Sequence, residues 1–209
     1  MNPVFEAYNL IFYQPILKLL LFFYKLLKDF GLAIICLTFL IRTLLFPLDW
    51  KNAKEQEKFM RIRKGIEEIE KKFEGEKKNK EILALYRKEK INPLFNLLSS
   101  FIQLPILYTL YKVFLEVPNQ LNPSFFGVLN LSNPNLFLVV AVIISQFLYF
   151  KLSFRKSKKE RTTSFPQTKM ALFFTPLTFL ILIKLPSAIS LYLLVTYLFL
   201  IFERVLFHV

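Results

Sequence analysis

Cysteine, histidine and glycine are scarce in this chain, and each shortage excludes a kind of site or of packing. The single cysteine, Cys36, excludes a disulfide within the chain and a paired-cysteine metal site. The single histidine, His208, is next to the last residue, and neither HExxH nor GxSxG occurs. The four glycines form no GxxxG pair for close helix packing. Since acid–base and nucleophilic roles are unfilled, we expect no enzyme activity and no cofactor.

Long apolar runs dominate the composition, with 55% hydrophobic and 17% aromatic residues and a positive mean hydropathy. A soluble domain of this size does not carry so much apolar sequence in long runs, so we interpret the chain as an all-α polytopic membrane protein. The net charge of +13 would suggest nucleic-acid binding in a soluble protein. In a membrane protein, basic cytoplasmic loops produce the same excess, and we favour that interpretation.

Residues 31–48 form an apolar run that covers most of a bilayer and carries one charge, Arg42. Arg42 lies roughly 10 Å inside the end of this span that Asp49 marks. An arginine at such a depth costs about 2.5 to 3.5 kcal/mol on insertion scales, so it indicates a function. Thr38 lies one turn away on the same face. The alternative is an arginine that snorkels to the near interface and only anchors the helix.

Apolar and polar segments alternate along the chain and predict five transmembrane helices. We place an extracytoplasmic interfacial amphipathic helix at residues 1–30, the first transmembrane helix at 31–50 and a cytoplasmic antiparallel helical hairpin at 51–91. The region 92–209 then holds four further transmembrane helices at 94–115, 135–150, 170–183 and 187–202, with a basic cytoplasmic loop at 151–169.

The N-terminal segment is apolar but interrupted by Gln14, Lys18, Lys25 and Lys28, which fall on one side of a helix. This pattern predicts a helix in the interface plane, because Lys18 in the middle disfavours the alternative of an extra span. Pro15 is expected to bend or start the helix. We expect no signal peptide, since a basic first region and a small-x-small cleavage site are lacking.

A heptad seam predicts the first arm of the hairpin. Its apolar residues are spaced three, four, three and four apart: Phe59, Ile62, Ile66, Ile69 and Phe73. Gly75 and its charged neighbours indicate a turn. A second, shorter helix follows, with Ile82 and Leu85 facing the first arm. The many Lys and Glu residues are most simply a solvated face.

Basic residues set the predicted orientation. The hairpin and residues 151–161 are rich in Lys and Arg, whereas the connector 117–134 has none. The positive-inside rule places the hairpin and the basic loop in the cytoplasm. Five spans then leave the N-terminus outside and the C-terminus inside.

Polar residues within the predicted spans concentrate in the cytoplasmic halves. They are Asn96, Ser99, Ser100 and Gln103 in the second span, Ser145 and Gln146 in the third, Thr175 and Thr178 near the middle of the fourth, and Thr196 in the fifth. Ordinary hydrogen bonds between helices would explain them. A hydrated cavity around Arg42, open to the cytoplasm, is the sharper interpretation. No Asp or Glu lies inside a span, so we expect water or a visiting anion beside this arginine.

Four features resemble the YidC/Oxa/Alb family of membrane protein insertases. The first span reads LIRTLLFPL, a charged hairpin follows, the second span reads NPLFNLLSSFIQLPILYTLYKVF, and the fifth opens with LPSAISLYLL. The resemblance covers about residues 5–207. It differs from many members in lacking a large extracytoplasmic domain, a lipoprotein-type N-terminus and a long basic C-terminal tail, and in having Leu193 where an aromatic residue is common.

The resemblance implies a five-helix core with a positively charged groove open to cytoplasm and lipid. Such a groove takes the short polar flank of a nascent membrane protein part-way across the bilayer. We expect it to be lined by Arg42, Thr38, Asn96, Ser100, Gln103, Gln146 and Thr196. The implied partners are nascent membrane proteins and lipid. A Sec translocon and a ribosome are further partners that the resemblance leaves open, and it also leaves open whether the protein acts as a monomer. The hairpin corresponds to the recruiting element of the family.

Two other classes of function remain open at this point. A small anion channel or transporter would use Arg42 as its selectivity charge, although the sequence has no inverted repeat and the outer halves offer no polar exit. A membrane assembly scaffold would bind a partner through its hairpin, with the groove incidental.

Overall fold

The structure, a computed structural model, describes residues 3–89, 93–116, 121–155 and 167–207. The helices are α1 (Pro3–Tyr8), α2 (Gln14–Leu27), α3 (Phe30–Lys72), α4 (Gly75–Lys88), α5 (Pro93–Glu116), α6 (Leu136–Arg155), α7 (Gln167–Leu182) and α8 (Ser187–Phe207), and a π-helical turn, Asn9–Tyr13, joins α1 to α2. The chain is therefore predominantly helical, as predicted.

Three helices in the described part of the chain are long and apolar enough to cross a membrane: Phe5–Leu27, Phe30–Lys51 and Ser187–Leu206. A shorter apolar helix covers Leu136–Leu152. The membrane character of the chain agrees with its composition, and the number of five spans stays a prediction.

The N-terminal helical segment packs on α3 through the buried side chains of Ile16 and Leu20. Pro15 is the second residue of α2, directly after the π-helical turn, and Tyr13 and Gln14 before it have helical backbone angles. Lys28 ends α2 in a left-handed conformation with φ of 54°. Asp29 then caps α3 by accepting a hydrogen bond from the Leu32 N–H at 2.8 Å.

Tyrosines join this segment to α5 and to the connector. The hydroxyl of Tyr13 donates to the Glu116 carboxylate, and that of Tyr24 accepts from the Asn122 N–H at 3.3 Å. Tyr8 shares a hydrogen bond of 2.8 Å with Thr109, farther along α5 from the connector. The segment therefore contacts α5 and the connector at several points along its length.

Helix α3 is a single helix of 43 residues, about 64 Å long. It passes without a break through residue 50, where the predicted membrane span ends, and contains Pro47 in its interior. The chain turns after Lys72, with Gly75 at φ of 61°, and α4 returns along α3. The side chain of Phe59 lies outside the described residues, whereas Ile62 is buried.

The connector contains a small β-ribbon that the sequence analysis did not predict. Strand β1 (Ser124–Phe125) pairs antiparallel with β2 (Leu129–Asn130). Phe126 and Gly127 between the strands have positive φ angles of 49° and 68°. A tight turn with two left-handed residues fits the right-handed twist of such a ribbon.

The connector also binds the start of α8. The N–H groups of Ser187 and Ala188 donate to the carbonyls of Asn133 and Leu131 at 3.2 and 3.0 Å, and the Ser187 hydroxyl bonds the same Asn133 carbonyl. The first N–H groups of a helix have no partner within it, so these carbonyls satisfy them. We call this end of the bundle, where α3, α6 and α8 begin, the connector end, and the opposite end the hairpin end.

The core lies among α3, α5, α6 and α8. Its buried side chains include Phe30, Ile34, Leu37, Leu110, Phe114, Val139, Val142, Ile189 and Tyr192. The aromatic ring of Phe30 packs edge-on against Phe114, with ring centroids 6.0 Å apart. This core brings one face each of α3, α6 and α8 together, and these faces carry the candidate site.

Candidate functional site

Three helices present polar side chains to one another at a similar depth. Arg42, Gln146 and Thr196 lie roughly 18, 15 and 14 Å from the first residues of α3, α6 and α8, which all begin at the connector end. All three side chains are buried. Thr38 is also buried, one turn from Arg42 on α3. Four of the predicted site residues are therefore inside the protein at mid-depth.

Arg42 forms an ion pair with Asp49. Its Nη1 lies 3.6 Å from the Asp49 Oδ2, and the exposed fractions of the two side chains are 6% and 25%. The expectation that no carboxylate would accompany this arginine is therefore wrong. The two residues are seven apart, which is almost two complete turns, so a helix places them on one face.

A second carboxylate and a second arginine lie beside this pair. The Glu203 carboxylate of α8 is within electrostatic range of Arg42, Asp49 and Arg204. The Arg204 guanidinium lies 5.3 Å from the centre of the Tyr149 ring on α6. We call Arg42, Asp49, Glu203 and Arg204 the charge cluster. Each of its cations has a carboxylate close by, which lowers the cost of holding it in a low-dielectric environment.

The charge cluster continues into uncharged polar groups on α6 and α8. The Tyr197 hydroxyl lies near both Gln146 and Arg42, and its ring is 6.0 Å from that of Tyr149. Gln146 Nε2 donates to the Thr178 hydroxyl at 3.1 Å and so joins α6 to α7. The site therefore extends from the charged end of α3 to the facing sides of three other helices.

Several oxygens in this region are buried without a hydrogen-bond partner among the described residues. They are Gln146 Oε1, Thr175 Oγ1 and Thr196 Oγ1, and Ser190 Oγ is buried in the same way nearer the connector end. Thr38 differs, because its hydroxyl donates to the Ile34 carbonyl of its own helix at 2.6 Å. A buried polar atom without a partner is costly, so these oxygens are positions where water or a polar ligand would bind favourably.

The remaining predicted site residues belong to α5. The side chains of Asn96, Ser100 and Gln103 lie outside the described residues, as does that of Ser99, so their place in the site stays a prediction. Part of the basic loop, residues 156–166, also lies outside the described residues.

Sequence reasoning missed Asp49, Glu203, Arg204, Tyr149 and Tyr197 as members of the site. The seven-residue spacing from Arg42 could have identified Asp49. Glu203 follows the predicted fifth span, and its approach to Arg42 depends on the angular position of α8 relative to α3, which is a tertiary property. In the described part of the chain, no group of three or more Asp, Glu, His and Cys residues could hold a metal ion.

The chain as a whole is similar to known proteins. The chain matches the family described as 60Kd inner membrane protein over residues 22–209. It is 38% identical to "Membrane protein insertase YidC" of Caulobacter vibrioides (strain NA1000 / CB15N) over 127 residues, which are 59% of this chain and 21% of that protein. It is 32% identical to the protein of the same description from Wigglesworthia glossinidia brevipalpis over 202 residues, 93% of this chain and 36% of that protein.

A solved structure has the same fold. It is described as "Active YidC insertase crystal structure with the first transmembrane domain resolved", and the match has a TM-score of 0.70 at 24% identity. The match covers 94% of this chain and 46% of that chain. This chain thus spans roughly a fifth to a third of the length of these two curated relatives.

Proposed function

Because the chain belongs to the 60 kDa inner membrane protein family, that of the YidC/Oxa/Alb insertases, we propose that it inserts nascent membrane proteins into the bilayer. It is a multi-pass inner membrane protein. The observation that carries the proposal is the combination of the family match over residues 22–209 with a buried arginine among polar groups at mid-depth. The fold alone would not support a particular activity.

The proposed mechanism is a lowered cost of moving a polar segment through hydrocarbon. A client tail that enters beside Arg42 meets a cation and buried oxygens, such as those of Gln146 and Thr196, that have no hydrogen-bond partner among the described residues. These groups replace part of the tail's hydration, while its apolar segment passes into lipid. Differential solvation supplies the driving force, so no nucleotide hydrolysis or covalent step is required.

The proposed groove is lined by Arg42, Thr38, Asn96, Ser100, Gln103, Gln146 and Thr196. Arg42 would attract acidic tails more strongly than neutral ones. Its side chain is only 6% exposed, and an attraction between charges is stronger where water is excluded. The buried position of Arg42 also disfavours the alternative of a snorkelling anchor, whose side chain would lie on the protein surface.

The proposed orientation places the hairpin end in the cytoplasm and the connector end outside, with the N-terminus outside and the C-terminus inside. In this arrangement the charge cluster lies between the middle of the bundle and its cytoplasmic side. The hairpin of α3 and α4 would recruit clients or a ribosome, and a Sec translocon is a further proposed partner. The proposed minimal unit is a monomer.

The experiment that tests this function is insertion of a single-span protein with a short tail into liposomes that contain only this chain. Protease protection scores the translocated tail, and clients with acidic and neutral tails are compared. Wild type, Arg42→Lys and Arg42→Ala are run side by side. We expect wild type to insert both clients, Arg42→Lys to retain acidic-tail insertion in part, and Arg42→Ala to lose acidic-tail insertion preferentially.

Other outcomes identify the rival functions. Equal loss for both tails in Arg42→Ala would contradict the electrostatic part of the mechanism. Absence of insertion by folded wild type, with chloride flux from the same liposomes, would support an anion channel instead. Absence of both would favour a scaffold, and deletion of residues 55–88 would then show whether partner binding depends on the hairpin.

A further inference from the structure

Resting on the insertase function proposed above, we propose that Asp49 is a specificity-determining residue of the groove. Its carboxylate is an internal counter-ion that occupies Arg42 in the resting protein and competes with acidic groups of a client tail. Asp49 therefore sets how strongly the protein discriminates acidic tails from neutral ones, and it does so by acting through Arg42.

The geometry of the pair is that of a replaceable partner. The Arg42 Nη1 and the Asp49 Oδ2 are 3.6 Å apart, so these two atoms attract each other as charges at a distance longer than a usual hydrogen bond. The Asp49 side chain is 25% exposed, whereas that of Arg42 is 6% exposed. Asp49 Oδ2 itself is buried, so the exposed part of this side chain lies away from the contact atom. Asp49 is nevertheless the more exposed partner, and we infer that it is the one that moves away while Arg42 stays in place.

The surroundings of Asp49 favour its exchange for another anion. Glu203 lies within electrostatic range of Asp49 and Arg42, so when it is charged it disfavours the first and favours the second. Arg42 therefore attracts two carboxylates, those of Asp49 and Glu203, and these two carboxylates repel each other when both are charged. A third carboxylate, brought by a client, can replace Asp49 without leaving the buried cation uncompensated, which would be costly.

This exchange affects acidic and neutral tails differently. A neutral tail cannot replace the counter-ion, so it passes with the ion pair intact. An acidic tail gains Arg42 only by giving up the Arg42–Asp49 attraction, so its apparent affinity is reduced by the fraction of protein in which the pair is closed. Removing the Asp49 charge should therefore increase acidic-tail insertion selectively.

The test compares wild type, Asp49→Asn and Glu6→Gln in liposomes. Glu6 is an exposed residue of α1, so its substitution makes the same change in net charge away from the charge cluster. The clients are a single-span protein whose short tail carries a pair of Asp residues and the same protein with both changed to Asn. We expect Asp49→Asn to raise the ratio of acidic-tail to neutral-tail insertion about fivefold, at the low end of coupling between sites. Glu6→Gln should leave the ratio at the wild-type value.

A double-mutant cycle separates competition from a structural role. If Asp49 acts through Arg42, Asp49→Asn has no effect on the ratio when Arg42 is already Ala. An unchanged ratio in Asp49→Asn, or equal loss of insertion for both tails in a folded protein, would overturn the inference while wild-type insertion upheld the function. Failure of folded wild type to insert either client would instead reject the proposed function itself.

A second variant and a binding measurement cover the case in which Asp49→Asn does not fold. Asp49→Thr removes the charge and retains a small polar side chain on the same helix face. Binding of a fluorescent peptide with the acidic tail sequence to detergent-purified protein should tighten in the neutral variant, and the Asn-containing peptide should show no change. Equal binding of the acidic peptide by wild type and by a folded neutral variant would refute the competition.

Discussion

The carboxylate of Asp29 accepts a hydrogen bond of 2.6 Å from the backbone N–H of Phe126, although the two residues are 97 positions apart in the chain. The other oxygen of the same carboxylate caps α3 by accepting from the Leu32 N–H at 2.8 Å. One side chain therefore begins the longest helix and fixes the turn of the β-ribbon at the connector end.

Substitution of Asp29 should reduce stability in a defined order. Asp29→Ala removes both bonds and should cost about 2 kcal/mol, because loss of a helix cap alone costs typically about 1 kcal/mol. Asp29→Asn keeps one oxygen that can accept from one of the two N–H groups, while its NH₂ group cannot accept from the other. Its loss of stability should therefore be smaller than that of Asp29→Ala. Thermal unfolding of the purified protein measures this, and equal stability of Asn and Ala variants would contradict the double role.

Gly31 should not tolerate a larger side chain. A Cβ at this position would lie 2.1 Å from Phe125 Cδ2, far inside van der Waals contact. Gly31→Ala should therefore destabilise the protein by about 1 to 3 kcal/mol through overpacking. Phe125→Ala removes the ring atoms but keeps the Cβ, which would lie 2.7 Å from the added Cβ, so it should relieve the clash in part and the two substitutions should be non-additive in thermal unfolding.

Gly65→Ala is the matched control for this substitution. A Cβ at Gly65 would lie 3.2 Å from Leu85 Cδ2, the end of a flexible side chain that can adjust. Alanine also favours a helix interior over glycine by about 0.8 to 1.0 kcal/mol. The Gly65 variant should therefore match or exceed wild type, and a loss equal to that of Gly31→Ala would argue against the clash with Phe125.

Tyr86 should titrate above an ordinary tyrosine. Burial raises the pKa of the Tyr86 phenol above 10.0, and the charge of Glu70 on the facing arm raises this pKa further. Below pH 10.0 the phenol is neutral in folded and unfolded chains alike, so its contribution to stability is fully present. Above that pH the unfolded chain ionises first, so the contribution is lost as pH rises through the folded pKa.

The measurement is the tyrosinate absorbance of wild type minus that of Tyr86→Phe as pH is raised. The difference curve should have its midpoint above 10.0, and Glu70→Gln should move it closer to 10.0 because the like charge is removed. A midpoint at or below 10.0 in the folded protein would show that the two arms of the hairpin do not pack around Tyr86.

The N-terminal segment should lie in the interface plane. Tyr13 and Tyr24 lie about 16 Å apart along the helix, yet they bond Glu116 at the end of α5 and Asn122 in the connector. Lys18 lies between them and is exposed. Lys18→Cys should therefore react with a membrane-impermeant maleimide in intact proteoliposomes. The native Cys36 in α3 is the internal control, and protection of both cysteines would indicate a spanning helix.

The sequence was sufficient to predict features that depend on one helix at a time. The spacing of four places Thr38 and Arg42 on one face of α3, and both side chains are buried there. The glycine at position 75 predicts the turn that follows Lys72. Features that join distant segments were not predictable. The bond from Asp29 to Phe126 requires the connector to fold back over the start of α3, and no local pattern encodes that approach.

The candidate site divides in the same way. Polar residues in apolar spans are unusual, and together with the family resemblance they indicate Thr38, Arg42, Gln146 and Thr196, all four of which are buried. Glu203 and Arg204 lie near the end of a span, where charged residues are common, so the sequence does not mark them as members of the site. Their approach to Arg42 depends on how α8 packs against α3.

Pro47 gives the long helix a mechanical property that bears on the ion pair. Proline lacks the N–H that would bond the carbonyl four residues earlier, at Thr43, so α3 bends at lower cost here than elsewhere. This joint lies between Arg42 and Asp49, and the remainder of α3 extends about 38 Å beyond it to Lys72. A force applied to the hairpin across the axis of α3 would bend the helix at Pro47 and so change the distance between Arg42 and Asp49. The start of α3 would stay in place, because Asp29 bonds the connector at Phe126 and Gly31 packs closely against Phe125.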